Sequence, residues 1–192
     1  MNLVDGPVGV LALQGDFARH TALMASLGLE AVEVRTSVEL EACSGLVMPG
    51  GESTTIRMGI DREGLADPLH AFLESGRPIL GTCAGMVLMG REHLGLIDMS
   101  VERNAYGRQV HSFETDVEIE GVEGLPMRAL FIRAPIVREI GSGVEVLSEF
   151  DGTPIAVREG NAFAISFHPE LIGDARMHEL ALRSCLSARN VA

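Results

Sequence analysis

The first half of the chain alternates short apolar runs with stretches of helical spacing. Val8-Gly-Val-Leu-Ala-Leu13 is a run without polar interruption and reads as a buried strand closed by Gly15. Ala18 to Leu27 repeats its apolar residues at helical intervals and ends at Gly28, a helix C-cap signal. Ala31 to Val34 is a second strand. Gly45-Leu-Val-Met48 is a third, stopped by Pro49-Gly50-Gly51. Leu65 to Glu74 is a helix ending at Gly76, Pro78 to Gly81 a fourth strand, and Ala84 to Gly90 another helix. Strands alternating with helices predict a parallel sheet covered on both faces.

The second half follows a different rule. Thr115-Asp-Val-Glu-Ile-Glu120 alternates apolar and polar, as a half-exposed antiparallel strand does. Ala129 to Ile132, Val144 to Leu147, Ile155 to Val157 and Ala162 to Phe167 continue as short strands, and Asp174 to Ala188 closes the chain as a helix. The pattern predicts an α/β fold with an antiparallel extension. With 192 residues, no repeat and no linker-like stretch, one domain over residues 1–192 is expected.

Composition narrows the chemistry. Fifteen basic residues against twenty-seven acidic ones leave a net charge of −12. That charge repels phosphate backbones, so nucleic acid is not an expected partner. No apolar run is long enough for a membrane helix, and no secretory leader is apparent at the N-terminus. Three widely spaced cysteines without a CxxC pair argue against a disulfide framework and for the cytoplasm. All fifteen basic residues are arginine. Without lysine the chain offers no side-chain amine for an imine and no Walker-type phosphate loop.

The sharpest local feature is Gly81-Thr-Cys-Ala-Gly85, a G-x-nucleophile-x-G elbow with cysteine in the nucleophile position. A side chain at such a corner projects above the C-terminal edge of the sheet, where open α/β sheets bind ligands. A buried structural cysteine is the plain alternative. Among six histidines, His20, His70, His93, His111 and His178 lie in helical or polar stretches and read as surface residues. His168 differs: it follows a buried strand and precedes Pro169 and Glu170, so a carboxylate stands two residues away to orient the ring.

Together these strings resemble the class I, triad-type glutamine amidotransferases, and more narrowly the glutaminase subunits of pyridoxal 5′-phosphate synthase. The resemblance rests on Leu11-Ala-Leu-Gln-Gly15, Pro49-Gly-Gly-Glu-Ser-Thr-Thr55, the elbow, Val101-Glu-Arg-Asn-Ala-Tyr-Gly-Arg-Gln-Val110, Phe131-Ile-Arg-Ala-Pro135 and Ser166-Phe-His-Pro-Glu170. It covers nearly the whole chain and implies a flavodoxin-like three-layer sandwich. It further implies that Cys83 is the nucleophile, His168 the general base and acid, and Glu170 its orienting carboxylate. Gly50, Gly51 and Ala84 would form the oxyanion hole, and Gly51, Glu52, Ser53, Arg103, Ile132 and Arg133 would hold L-glutamine. Neither metal nor cofactor is part of this reading.

The implied reaction releases ammonia from glutamine for a synthase partner that builds pyridoxal 5′-phosphate from ribose 5-phosphate and glyceraldehyde 3-phosphate. The implied assembly is twelve synthase subunits decorated by twelve glutaminases. Imine chemistry must then lie on the partner, since this chain has no lysine. Two rivals are a glutaminase of another pathway and a catalytically dead scaffold. The subfamily strings argue against the first and the intact triad against the second. Two departures from the family pattern stand out: a short segment at Met89-Gly-Arg-Glu-His93, and His111 where an aspartate is expected. Cys43 and Cys185 match no motif and read as core thiols.

Overall fold

A computed structural model describes residues 6–103 and 112–189, with 187–189 described by backbone alone. The first half carries β1 (Val8–Leu11), α1 (Phe17–Ser26), β2 (Ala31–Val34), α2 (Ser37–Glu41), β3 (Gly45–Met48), α3 (Ser53–Arg62), α4 (Ala66–Glu74), β4 (Ile79–Thr82) and α5 (Ala84–Met89). The second half carries β5 (Met99–Glu102), β6 (Ser112–Val117), β7 (Met127–Ile132), β8 (Ile136–Ile140), β9 (Glu145–Phe150), β10 (Thr153–Glu159) and β11 (Ala162–Ile165). It ends in α6 (Pro169–Ile172), α7 (Arg176–Ala181) and α8 (Arg183–Arg189).

The main sheet has seven strands in the order β2-β1-β3-β4-β11-β10-β9. The first five are parallel, and β10 and β9 extend the sheet antiparallel. The parallel part reproduces the doubly wound order of flavodoxin-like folds, with β11 in the fifth place. β1, β3, β4 and β11 are buried at every residue, as strands covered on both faces must be. Full burial of a side chain such as Leu46 is worth roughly 1.5–3 kcal/mol.

Two small antiparallel ribbons stand beside this sheet, β5 with β8 and β6 with β7. β6 alternates in burial along its length, which is the period-two signal of its sequence. Aromatic rings dock the β6–β7 ribbon: Phe113 stacks on Phe131 at 4.6 Å, and Phe131 meets Phe150 at 6.1 Å and Phe167 at 5.7 Å. Such pairs add about 0.5–1.5 kcal/mol each beyond burial.

Several elements depart from the sequence expectation. α2 was not expected, although Thr36 and Glu39 form a capping box at its start. α3 was anticipated only as a start signal at Glu52–Thr55. Its buried face is sparse, with Ser53, Ile56, Gly59 and Ile60. β5 and β8 were missed because each depends on a partner 36 residues away, by the pairing Val101 with Val137. The single closing helix is broken at Leu182 into α7 and α8. The family string from Asn104 to Val110 and the departure at His111 lie outside the described residues.

The elbow is tight by construction. A Cβ built on Gly85 would stand 2.2 Å from the Met48 carbonyl oxygen of β3, a backbone atom that cannot swing aside. Gly85→Ala is therefore expected to force α5 away from the sheet. The expected result is a loss of about 1–3 kcal/mol or more in urea unfolding, with a matching loss of Cys83 function.

Candidate active site

Strand pairing brings the predicted triad together. β4 and β11 are adjacent and parallel, with Thr82 opposite Ile165. Cys83 continues from β4 and donates its N–H to the Ile165 carbonyl at 2.8 Å. The chain leaving β11 reaches His168 three residues later, and the His168 N–H is fastened to the Leu130 carbonyl of β7 at 2.9 Å. Cys83 sits at φ 47°, the strained corner expected of a nucleophile elbow. Its sulfur lies 3.9 Å from the Ile132 carbonyl oxygen.

His168 Nδ1 is 2.6 Å from Glu170 Oε1. Pro169, the first residue of α6, stiffens the turn between them. The Cys83 side chain also acts on the charge of the ring. Burial works against a charged ring most strongly. The hydrogen bonds and negative charge of Cys83 and Glu170 nevertheless outweigh it and push the His168 pKa up to about 10.

A cleft of about 370 Å³ opens above these groups. Its lining brings together Gly51, Glu52, Ser53, Cys83, Ala84, Arg103, Ile132, Arg133 and His168. Glu170 and Gly50 lie outside this lining. Glu170 is buried behind His168, and Gly50 packs so closely on that ring that an added Cβ would stand 2.5 Å from Cε1. Arg103 Nη1 donates to Ser53 Oγ at 2.8 Å and to Thr54 Oγ1 at 3.0 Å. Arg133, at φ 43°, turns out of β7 and reaches Glu52 at 3.7 Å. Both side chains of that pair are exposed, so the contact is weak and open to exchange.

Sequence reasoning missed Gln14. It lines the cleft and accepts the Glu52 N–H on Oε1 at 2.7 Å, fixing the glycine loop from below. Its place in the Leu11–Gly15 string was the available signal. The expectation of surface histidines was wrong at two positions. His20 and His178 are fully buried and bonded to each other, Nδ1 to Nε2, at 2.8 Å. His20 lies on the same α1 face as Leu23 and Met24, a helical spacing that marks it as inward-facing. Cys43 and Cys185 are buried free thiols as expected, and burial pushes the Cys43 pKa up to about 11 and that of Cys185 upward.

Known proteins resemble this chain. The model of the SNO glutamine amidotransferase family matches residues 10–187. The chain belongs to that family. A protein of Dehalococcoides mccartyi named pyridoxal 5′-phosphate synthase subunit PdxT is 52% identical over 181 residues, 89% of this chain and 93% of its own. A protein of the same name from Streptomyces coelicolor is 52% identical over 92% of each chain. A crystal structure of a glutamine amidotransferase superposes with a TM-score of 0.88 at 44% identity, covering 95% of this chain and all of that one. A second amidotransferase structure, from Thermotoga maritima, shares the fold at 15% identity and a TM-score of 0.64, over 98% of this chain and 86% of its own.

The two buried histidines of this amidotransferase carry a pH signature. Burial lowers the pKa of His20 to about 3 and of His178 to about 4. Both stay neutral in the folded chain while the unfolded chain takes up protons near pH 6.5. Their contribution to stability is present above pH 6.5 and is lost as pH falls toward 4 and 3. Urea unfolding is expected to show stability dropping as pH falls from 6 to 5, with uptake approaching about two protons on unfolding near pH 5, where His168 is protonated in both states. A flat profile over that window would contradict neutral burial.

Proposed function

We propose that Cys83, His168 and Glu170 are the catalytic triad with which this amidotransferase hydrolyses L-glutamine to L-glutamate and ammonia. The observation that carries the reading is the elbow cysteine sharing one cleft with a histidine that a buried carboxylate orients, beneath a rim of opposite charges. The Cys83 thiolate attacks the side-chain amide carbon. His168 Nε2, left free by the Nδ1 contact to Glu170, gives its proton to the departing ammonia. It then takes a proton from the water that hydrolyses the glutamyl thioester.

The tetrahedral oxyanion needs preorganised donors. The Ala84 N–H, next after the nucleophile, and the Gly50-Gly51 loop supply them. Gly51 at φ 153° gives that loop a conformation that side-chain-bearing residues rarely adopt. Gly51, Glu52, Ser53, Arg103, Ile132 and Arg133 hold glutamine. Glu52 suits the α-ammonium, and the guanidinium groups suit the α-carboxylate.

The ammonia serves pyridoxal 5′-phosphate synthesis on a separate synthase chain, in an assembly of twelve copies of each. Relatives of about half identity that bear the name of a component of that synthase support this. So does the absence of lysine, which leaves the imine chemistry to another chain. Residues 1–192 act as one domain, because the main sheet draws strands from both halves of the chain. The reading places the protein in the cytoplasm, in keeping with three free buried thiols. Among the described residues no helix is long and apolar enough to cross a membrane.

Cys83→Ala is expected to lower glutamate release at least about a thousandfold while the chain stays folded. Wild-type release should rise when the synthase partner is added, and no stimulation would sink the assignment of that partner. Arg103→Leu should raise the KM for glutamine by about ten- to a hundredfold with a smaller change in kcat, read from steady-state kinetics.

A further inference from the structure

We infer that His20 is a positioning residue of this site: its Nε2–H faces the second carboxylate oxygen of Glu170, in a tautomer that His178 imposes from behind. The inference rests on the triad reading given above and extends it inward by two side chains.

The starting point is an orphaned atom. Glu170 is buried, with its side chain 1% exposed. Oε1 is engaged by His168, but Oε2 has no hydrogen-bond partner among the described residues. The group facing Oε2 is His20 Nε2, at 3.6 Å. That separation is longer than a hydrogen bond, so the contact is one of charge with dipole, and its sign depends on where the His20 proton sits. An N–H turned to the carboxylate stabilises the anion. A lone pair there destabilises it.

The structure decides between the two tautomers through His178. His20 Nδ1 and His178 Nε2 are 2.8 Å apart, so one donates and the other accepts. His178 Nδ1 has no partner among the described residues. If His20 donated to His178, a neutral His178 would carry its own proton on Nδ1, an orphaned buried N–H. His20 would also present a lone pair to a carboxylate. If His178 donates, only a nitrogen lone pair is orphaned, and His20 must carry its proton on Nε2, facing Glu170. The second arrangement avoids both costs. Thr82 Oγ1, 3.4 Å from the same nitrogen, accepts a share of that N–H.

Neutral imidazoles are what the surroundings impose. The groups facing His20 are Glu170 of α6, His178 of α7 and Thr82 at the end of β4, with the charge of His168 also felt. His178 feels Asp174. Burial outweighs both carboxylates and keeps the two rings unprotonated. The result is a buried, oriented chain from His178 through His20 to Glu170 and His168. His20 does not line the cleft, so its removal should not alter glutamine binding. Its loss should leave the Glu170 carboxylate less firmly placed, and His168 less often aimed at Cys83.

The test compares His20→Leu with His20→Gln, whose side-chain amide keeps a donor near the Nε2 position. Glutamate release is measured as kcat and KM with the synthase partner present. His20→Leu is expected to lose roughly ten- to a hundredfold in kcat, with KM within about twofold of wild type. His20→Gln should recover most of kcat. Nitrogen-15 NMR of the wild-type chain should show His20 and His178 as neutral Nε2–H tautomers, a measurement that stands even if His20→Leu fails to fold. A folded His20→Leu with wild-type kcat would overturn the inference, as would an Nδ1–H tautomer at His20. Glutamate release surviving in Cys83→Ala would instead overturn the triad reading beneath it, so the two failures are distinct.

Discussion

The parallel pairing of β4 with β11 is the constraint on which the site depends. It joins strands nearly eighty residues apart in sequence and leaves their C-terminal ends side by side. One end delivers Cys83 through the elbow, the other delivers His168 and Glu170. The hydrogen bond from the Cys83 amide to the Ile165 carbonyl makes the strained corner a continuation of the ladder. A cysteine at φ 47° persists because the backbone on both sides is already paired, and a sheet so buried cannot easily relax.

Around that pairing the structure manages a buried charge. A carboxylate withdrawn from water is costly unless partners surround it. Glu170 has a hydrogen bond on one oxygen and the edge of a neutral imidazole facing the other. The outer partners differ in kind. Glu52, Arg103 and Arg133 are exposed at the cleft, where water screens them and their contacts are exchangeable. Buried charge at the foot and exchangeable charge at the rim suit the proposed triad, with fixed groups below and a zwitterionic glutamine exchanging above.

Much of this was legible from local pattern. The buried strands β1, β3, β4 and β11 appear as uninterrupted apolar runs, and β2 and β3 were expected with the bounds they have. The elbow and the His-Pro-Glu string are contiguous in sequence, so their residue types and spacing could be read directly. What escaped notice depends on distant partners. β5 and β8 are short and define each other only by pairing. The break at Leu182 interrupts a stretch whose helical spacing continues on both sides. His20 and His178 read as ordinary helical polar residues, because a histidine declares its burial only through what packs on it.

The sequence by itself determined the fold class, the elbow cysteine, the histidine and carboxylate two residues apart, and the want of any lysine. Those are properties of residue type, periodicity and short-range spacing, which a linear chain displays. Only the tertiary structure decided that Gln14 braces the glycine loop, that Arg133 meets Glu52, and that two histidines from α1 and α7 stand behind Glu170. Each of those joins segments far apart in the chain. The ionisation of a buried imidazole is set by desolvation and by its neighbours, quantities that exist only once the chain has closed around it.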